Sequence, residues 1–230
     1  MHPILYFIAA YTVGAIPTGY LAARLTGRPS IFLPGERTPC YAGDVYKILG
    51  MPLGIFVTFL DVLKGCVVVW PLVDLMMGPG NLLPWWVVAF GGLLVVIGHS
   101  HSLFLGFRGG RGLATSFGVL FCLLPVPTLL SCFIWAALSF WGLSTRPGAL
   151  SSAGAMPLFS IPWVWWVQPE RVNYLFVVAF LSLWTLYEYR ESLMSYMGLR
   201  SVAPPPPPPV APAPGAMPPE SLSKTEDKSE

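Results

Sequence analysis

Phe107-Arg108-Gly109-Gly110-Arg111-Gly112-Leu113 lies between two long apolar runs near the middle of the chain. Glycine weakens the interior of a helix, and an arginine at a membrane boundary requires water or an anion. The stretch therefore predicts a surface loop over residues 108–112, called here the glycine loop, and a helix that starts near Leu113. Backbone N–H groups at that helix N-terminus and both guanidinium groups would face a negative group, most simply a phosphate.

The composition of the chain indicates an integral membrane protein. Of its 230 residues, 54% are hydrophobic and 10% are charged, whereas a soluble domain carries about 25% charged residues. The net charge of +2 is too small to indicate nucleic-acid binding. The cysteines have no metal-ligand spacing, so we expect packing residues and neither a zinc site nor a disulfide framework. They are Cys40, Cys66, Cys122 and Cys132.

The expected fold is an all-α polytopic helical bundle with seven transmembrane helices, since a span needs about 20 apolar residues. Gly14 and Pro17 break the first span. Pro125 and Pro127 divide the long run 113–143 into two short helices, because proline removes helix hydrogen bonds. The spans cover roughly residues 4–25, 53–76, 85–105, the two halves of 113–143, 147–167 and 172–187.

Positive charges orient this predicted array, because cytoplasmic loops are enriched in lysine and arginine. If the Pro125 break separates two crossings, all the basic loops fall on the same side of the membrane. The N-terminus is then outside and the C-terminus is cytoplasmic. The basic residues of these loops are Arg24, Arg28, Arg37, Lys47, Arg108, Arg111, Arg146, Arg190 and Arg200.

Two regions are predicted, a transmembrane domain over residues 1–199 and a proline-rich cytoplasmic tail over residues 200–230. Residues 204–209 are six consecutive prolines, which favour polyproline II, and the charged end of the tail is predicted to be disordered. The composition favours a solvated tail without chemistry of its own. A ligand for an SH3-like domain is the alternative.

The glycine loop and the helical turn after it form the main candidate site. Glycines let the backbone approach a ligand closely, arginines add positive charge, and a threonine adds a hydroxyl near the positive end of the helix. A tight turn whose arginines bind lipid phosphates would explain the same residues, and spacing alone does not separate the two interpretations. The residues are Arg108, Gly109, Gly110, Arg111, Gly112 and Thr115.

Four further ionisable residues belong to the second and third spans. His99 and His101 lie close to the glycine loop, where a histidine could orient or deprotonate a hydroxyl nucleophile. Interfacial histidines bonded to backbone are the alternative. Asp61 and Lys64 share a helix face at i, i+3 inside a span, which predicts a structural ion pair.

Three motifs resemble the bacterial membrane glycerol-3-phosphate acyltransferases that use acyl-phosphate as donor, the PlsY family. Residues 15–21, Ala-Ile-Pro-Thr-Gly-Tyr-Leu, resemble its first-span motif, and Asp61-Val62-Leu63-Lys64-Gly65 resembles its second-span motif. Residues 98–118, which contain Gly98-His99 and the glycine loop, resemble its central signature. The resemblance extends over about residues 4–198.

The resemblance implies a seven-span fold in the cell inner membrane, among membrane lipids and with cytoplasmic active-site loops. It implies transfer of a fatty acyl group from acyl-phosphate to the 1-hydroxyl of glycerol 3-phosphate, giving lysophosphatidic acid and phosphate. No metal or dissociable cofactor is implied, and an upstream enzyme that forms acyl-phosphate is an expected partner. His99 and Arg111 become candidate catalytic residues. Arg37, Lys47 and Arg190 become candidates for binding glycerol phosphate, although positive-inside anchoring also explains Arg37 and Lys47.

The chain departs from the family pattern at several positions. Arg108 and Arg111 stand where lysines are usual, and Ser102 stands where proline is usual. Residues 36–44 lack most of the glycines and the serine of the family's first cytoplasmic loop. Residues 189–192 keep only the arginine and the glutamate of its C-terminal motif. One half of the predicted site therefore matches the family and the other half differs.

Two other functions fit some of these residues. The departures favour a non-catalytic relative that binds acyl-phosphate or lipid. Asp61 and Lys64 inside a span, with the broken first helix, would suit a small membrane transporter. However, the sequence has no visible internal repeat, and its candidate residues cluster near one membrane surface. The acyltransferase is therefore the favoured interpretation.

Overall fold

The computed structural model describes residues 3–27, 45–46, 49–77, 84–140 and 145–197. In these ranges the regular structure is helical, apart from an isolated antiparallel bridge between Ser102 and Arg108. The α-helices are α1 Pro3–Ala15, α2 Thr18–Leu25, α3 Met51–Met77, α4 Trp85–Ser100, α5 Leu113–Leu123, α6 Pro125–Phe140, α7 Thr145–Trp166, α8 Leu175–Glu188 and α9 Arg190–Tyr196. Short 3-10 helices cover Leu103–Leu105 and Pro169–Tyr174.

Length and hydropathy mark some of these helices as membrane spans. Met51–Val73, within α3, is long and apolar enough to cross a bilayer alone, and α1 with α2 passes the same test only as a pair bent by 41°. Trp85–Ser100, Leu113–Leu123 and Pro125–Leu138 are apolar but shorter. The predicted all-helical architecture is therefore confirmed, while the seven crossings and their orientation stay a prediction.

Prolines separate helices where the sequence predicts it. The first apolar segment breaks between Ala15 and Thr18, around Pro17. The run 113–143 breaks at Leu124, and Pro125 becomes the first residue of α6, a position where its missing N–H costs little. At this second break the guanidinium of Arg171 donates a hydrogen bond to the carbonyl oxygen of Leu123. That bond satisfies a carbonyl at the end of α5 that has no partner within the helix.

The third span ends earlier than predicted. Helix α4 stops at Ser100, five residues before the predicted end near Leu105. The chain then folds back on itself, because the N–H groups of Ser102 and Phe107 donate to the carbonyl oxygens of Arg108 and Ser102, at 3.2 and 2.8 Å. This compact turn brings the glycine loop against the end of α4.

Glycines allow α3 and α5 to pack with their backbones in contact. A Cβ atom on Gly65 would collide with the carbonyl oxygen of Thr115, and one on Gly118 would overlap the carbonyl oxygen of Val62. This crossing fixes the N-terminal half of α5 beside α3. The main buried core extends from it to α4 and α8, with Val69, Val96 and Val178 almost fully buried.

The outside of the bundle is also apolar. Phe59, Phe133, Trp165 and Trp166 are each between 59% and 78% exposed. Exposed apolar side chains of this size, when they are numerous, mark an interaction with a membrane or a partner. On these helices they form the surface that faces lipid.

Candidate active site

Asp61 of α3 is the centre of a buried polar cluster. Its Oδ1 atom accepts a hydrogen bond from Oγ1 of Thr18 at 2.6 Å and pairs with Nζ of Lys64 at 2.7 Å. Nδ1 of His99 lies 3.5 Å from the same oxygen. Asp61 is 9% exposed and Lys64 is 7% exposed. Because little solvent screens the two charges, the attraction between them is stronger than at the protein surface. The ion pair that the i, i+3 spacing predicts is present.

The break between α1 and α2 supplies two of these contacts. Thr18 is the first residue of α2, so the bend after Pro17 turns its hydroxyl toward α3. Lys64 also donates to the carbonyl oxygen of Ile16 at 3.3 Å, a carbonyl near the end of α1. Lys64 therefore has two tasks, since it neutralises Asp61 and satisfies backbone exposed by the helix break.

His99 joins this cluster to the glycine loop. Its carbonyl oxygen accepts a hydrogen bond from the N–H of Gly110 at 3.1 Å. A Cβ atom on Gly110 would overlap Nε2 of the His99 ring, and one on Gly109 would overlap the His99 carbonyl oxygen. The two glycines are therefore needed because the loop backbone lies directly on His99. The ring has Asp61 at Nδ1 and the loop at Nε2.

The glycine loop leads into α5 as predicted, and the helix begins at Leu113. Gly112 precedes it with φ of +77°, a left-handed conformation that glycine adopts without strain. The carbonyl oxygen of Gly112 accepts from the N–H of Ser116 at 2.8 Å. Ser102, at the start of the turn, donates its hydroxyl to the carbonyl oxygen of Ala15. The loop is thus attached both to α5 and to the first helix break.

A small cavity lies between the Asp61 cluster and the loop, with a volume of about 30 Å³. A cavity of this volume has room for a few water molecules. Its polar lining includes Thr18, Asp61, His99, Gly109 and Gly110. A carboxylate, an imidazole and loop backbone thus face one space, which suits proton transfer beside a bound anion.

An apolar groove adjoins this cavity. It has a volume of about 470 Å³ and runs between the first two helices and α3, a size that accommodates a ligand. Thr18 and Lys64 are the polar residues in its lining, and Ile16, Thr18 and Val57 also line the small cavity. A ligand with an apolar chain and a polar head could therefore occupy both.

The other candidate residues lie outside the Asp61 cluster, and each has its own surroundings. Arg111 lies over the ring of Tyr189, with 4.2 Å from Cζ to the ring centroid, and Arg108 is exposed at the loop surface. Thr115 is 0% exposed in the contact between α3 and α5, and its role in phosphate binding stays a prediction. Arg190 packs on Tyr187, 4.3 Å from Cζ to the ring centroid.

Two candidates of the first loop cannot be placed. Arg37 and Lys47 lie outside the described residues, so their part in the site stays a prediction.

His101, the second candidate histidine, lies outside the buried cluster. Its carbonyl oxygen accepts a hydrogen bond from the hydroxyl of Tyr11 at 2.7 Å. Its ring packs edge-on against Trp184. In the described ranges no three His, Cys, Asp or Glu side chains are grouped as metal ligands.

Sequence reasoning missed two residues of this site. Thr18 belongs to the first-span motif but has no role in the sequence prediction, because its partner Asp61 is 43 residues away. Tyr189 belongs to the altered C-terminal stretch and also has no predicted role. A hydroxyl directly after a helix-breaking proline was the available signal for Thr18, whereas no local pattern indicates the contact of Tyr189 with Arg111.

Comparisons with known proteins agree with this geometry. The family model described as glycerol-3-phosphate acyltransferase matches residues 4–197. The chain belongs to the glycerol-3-phosphate acyltransferase family. A glycerol-3-phosphate acyltransferase of Aquifex aeolicus is 30% identical over 193 residues, which cover 84% of this chain and 94% of the relative. That of Geobacter sulfurreducens is 38% identical over 161 residues, 69% of this chain and 78% of the relative.

Solved structures extend the agreement to three dimensions. Crystal structures of PlsY (YgiH), an integral membrane glycerol 3-phosphate acyltransferase, in its lysophosphatidic acid and glycerol 3-phosphate forms each superimpose with a TM-score of 0.71. Each has 28% sequence identity, and the alignment covers 87% of this chain and 95% of the solved one. As a member of the glycerol-3-phosphate acyltransferase family, this chain is an integral membrane enzyme that transfers acyl groups in phospholipid synthesis.

Proposed function

We propose that the enzyme transfers a fatty acyl group from acyl-phosphate to the 1-hydroxyl of glycerol 3-phosphate, giving lysophosphatidic acid and inorganic phosphate. The contact between the Asp61–His99 pair and the glycine loop carries the proposal. It sets a group able to take a proton beside backbone N–H groups and arginines suited to a phosphate. The acceptor and product agree with the forms in which the related PlsY was crystallised.

His99 acts as the base in this scheme. Its Nδ1 faces the Asp61 carboxylate at 3.5 Å, and its Nε2, beside Gly110 of the loop, accepts the proton of the acceptor hydroxyl. The hydroxyl oxygen forms a bond to the carbonyl carbon of acyl-phosphate. The bond between that carbon and the bridging oxygen breaks, and its electron pair leaves with the phosphate.

The glycine loop stabilises the departing phosphate. The hydrogen bond from the Gly110 N–H to the His99 carbonyl oxygen fixes the loop backbone, and Arg108 and Arg111 add positive charge where negative charge develops. Arg37, Lys47 and Arg190 bind the phosphate of the acceptor. The arrangement brings two anionic substrates together, which favours the reaction through proximity and charge compensation.

The apolar groove holds the acyl chain of the donor. The groove meets the small cavity at Ile16 and Thr18, so a chain lying in it would present its carbonyl carbon beside His99. In this arrangement the site opens to the cytoplasmic side of the cell inner membrane, with seven spans and the N-terminus outside. Because acyl-phosphate is reactive, an upstream enzyme that forms it is the expected partner.

Complementation tests the proposal. The full chain is expressed in a strain whose own acyl-phosphate-dependent acyltransferase is depleted. We expect growth with the wild type and with Arg24→Ala, an exposed arginine of α2, and none with Arg111→Ala. Failure of a wild-type protein that accumulates in the membrane contradicts the proposed function. Equal growth with Arg111→Ala contradicts only the role assigned to the glycine loop and leaves the proposed reaction standing.

A further inference from the structure

Tyr189 contacts Arg111 of the glycine loop, although 78 residues separate the two in sequence. It lies between α8 and α9 and is 9% exposed. Its N–H donates to the carbonyl oxygen of Thr185 at 3.0 Å, and its own carbonyl oxygen accepts from the N–H of Leu193 at 2.9 Å. The backbone of Tyr189 is therefore held on both sides, and the residue is largely buried.

The guanidinium of Arg111 lies directly over the ring of Tyr189. The Cζ atom of Arg111 lies 4.2 Å from the centroid of the Tyr189 ring, well within the range of a cation–π contact. Arg111 itself has Gly110 and Gly112 as chain neighbours, so its backbone receives little stiffness from local sequence. The contact with Tyr189 restricts where its guanidinium points.

The end of α8 reaches the loop at a second point. A Cβ atom on Gly112 would lie 3.8 Å from Nε1 of Trp184, one turn before Tyr189. The ring of Trp184 also packs against His101 at the end of α4, with 5.6 Å between ring centroids. The end of α8 therefore also borders the glycine loop, and Tyr189, directly after this helix, contacts the guanidinium of Arg111.

We infer that Tyr189 is a positioning residue, whose ring holds the guanidinium of Arg111 in the orientation that receives the phosphate of the acyl donor. This inference rests on the proposed function. A planar guanidinium stacks on an aromatic face, whereas a compact ammonium does so less well. The arginine and the tyrosine therefore act as a matched pair, and the ring of Tyr189, not its hydroxyl, supplies the effect.

Steady-state kinetics of the purified full chain test the inference, with acyl-phosphate and glycerol 3-phosphate varied separately. Loss of one cation–π contact corresponds to a change of about 5- to 30-fold. We expect Tyr189→Leu to raise the KM for acyl-phosphate by that amount, with the KM for glycerol 3-phosphate within about twofold of wild type. Tyr189→Phe should rescue the KM. Phe176→Leu, which removes a half-exposed ring at the other end of α8, should leave it unchanged.

A double-mutant cycle separates positioning from a merely structural role. In an Arg111→Lys background, whose compact ammonium stacks less well on an aromatic ring, Tyr189→Leu should change the KM for acyl-phosphate much less than in the wild type. Equal effects of Tyr189→Leu in both backgrounds overturn the inference, and so does a change confined to the unfolding temperature.

An activity-independent measurement separates failure of the inference from failure of the proposed function. Phenylglyoxal modifies accessible arginines, and mass spectrometry follows its reaction at Arg111. We expect Arg111 to react several times faster in Tyr189→Leu than in the wild type or Tyr189→Phe. Equal rates overturn the pairing even in an active enzyme. Absence of wild-type turnover contradicts the proposed function, and the modification rates still decide the pairing.

Discussion

Nδ1 of His99 lies 3.5 Å from Oδ1 of Asp61, which joins the last turn of α4 to the middle of α3. The same carboxylate oxygen holds Thr18 and Lys64. A single buried side chain thus connects the break in the first span, a cation and the histidine that supports the glycine loop. The chemistry assigned to this enzyme depends on that connection.

Asp61→Asn should lower kcat by at least about 100-fold, because the amide cannot stabilise a protonated His99. It also leaves Lys64 without its buried counter-charge, which costs about 3–5 kcal/mol of stability. The double variant Asp61→Asn/Lys64→Met removes the unpaired charge but leaves the Ile16 carbonyl oxygen without this donor, so it should recover most of the unfolding temperature and stay inactive. Phosphate release and thermal unfolding in detergent provide the two measurements. Recovery of activity along with stability would show that the pair is structural only.

Gly110→Ala should lower kcat by about 100-fold, because its methyl group would displace the His99 ring and misplace the base. Gly154→Ala in α7 is the matched control, since a Cβ there meets no other atom within 4 Å. The control should keep wild-type kcat. If both variants keep wild-type kcat, the contact between His99 and the loop has no part in catalysis.

Gly118→Ala should destabilise the protein by about 1–3 kcal/mol, because its methyl group overpacks the contact between α3 and α5. Thermal unfolding of the detergent-purified chain measures this change. Gly154→Ala again serves as the control and should be neutral or slightly stabilising, since alanine favours helices. A Gly118→Ala protein as stable as the control would contradict the close backbone packing.

The local features of the fold could be predicted from the sequence. Pro17 and Pro125 mark helix breaks because proline lacks an N–H, although α3 continues through Pro71 and α7 continues through Pro157 and Pro162. The glycine loop and the start of α5 at Leu113 follow from composition in the same way. The early end of α4 could not be predicted, since it depends on Ser102 and Arg108 bonding across a turn in a stretch that reads as apolar.

The site could be predicted only in part, for a related reason. Asp61 and Lys64 are neighbours on one helix, so their ion pair follows from spacing. The link from Asp61 to His99 and Thr18 depends on how three helices pack, which no local pattern specifies. The contact of Tyr189 with Arg111 joins residues on different helices and is equally invisible in the sequence.

Ala22→Phe should shorten the preferred acyl chain, because its ring would occupy the groove between the first two helices and α3. We expect reduced turnover of palmitoyl phosphate and near wild-type turnover of octanoyl phosphate. Leu183→Phe adds similar bulk at a side chain that is 66% exposed on α8, and it should change neither. An equal loss with both donors in Ala22→Phe would contradict an acyl chain in this groove.

Product formation by the purified wild-type chain tests the central claim most directly. Palmitoyl phosphate is supplied with and without glycerol 3-phosphate, and palmitoyl-CoA replaces it in a parallel reaction, while phosphate and lysophosphatidic acid are both quantified. The proposed function predicts equal amounts of the two products, formed only when palmitoyl phosphate and glycerol 3-phosphate are present together. Phosphate release at the same rate without glycerol 3-phosphate, or lysophosphatidic acid made from palmitoyl-CoA instead, would contradict it.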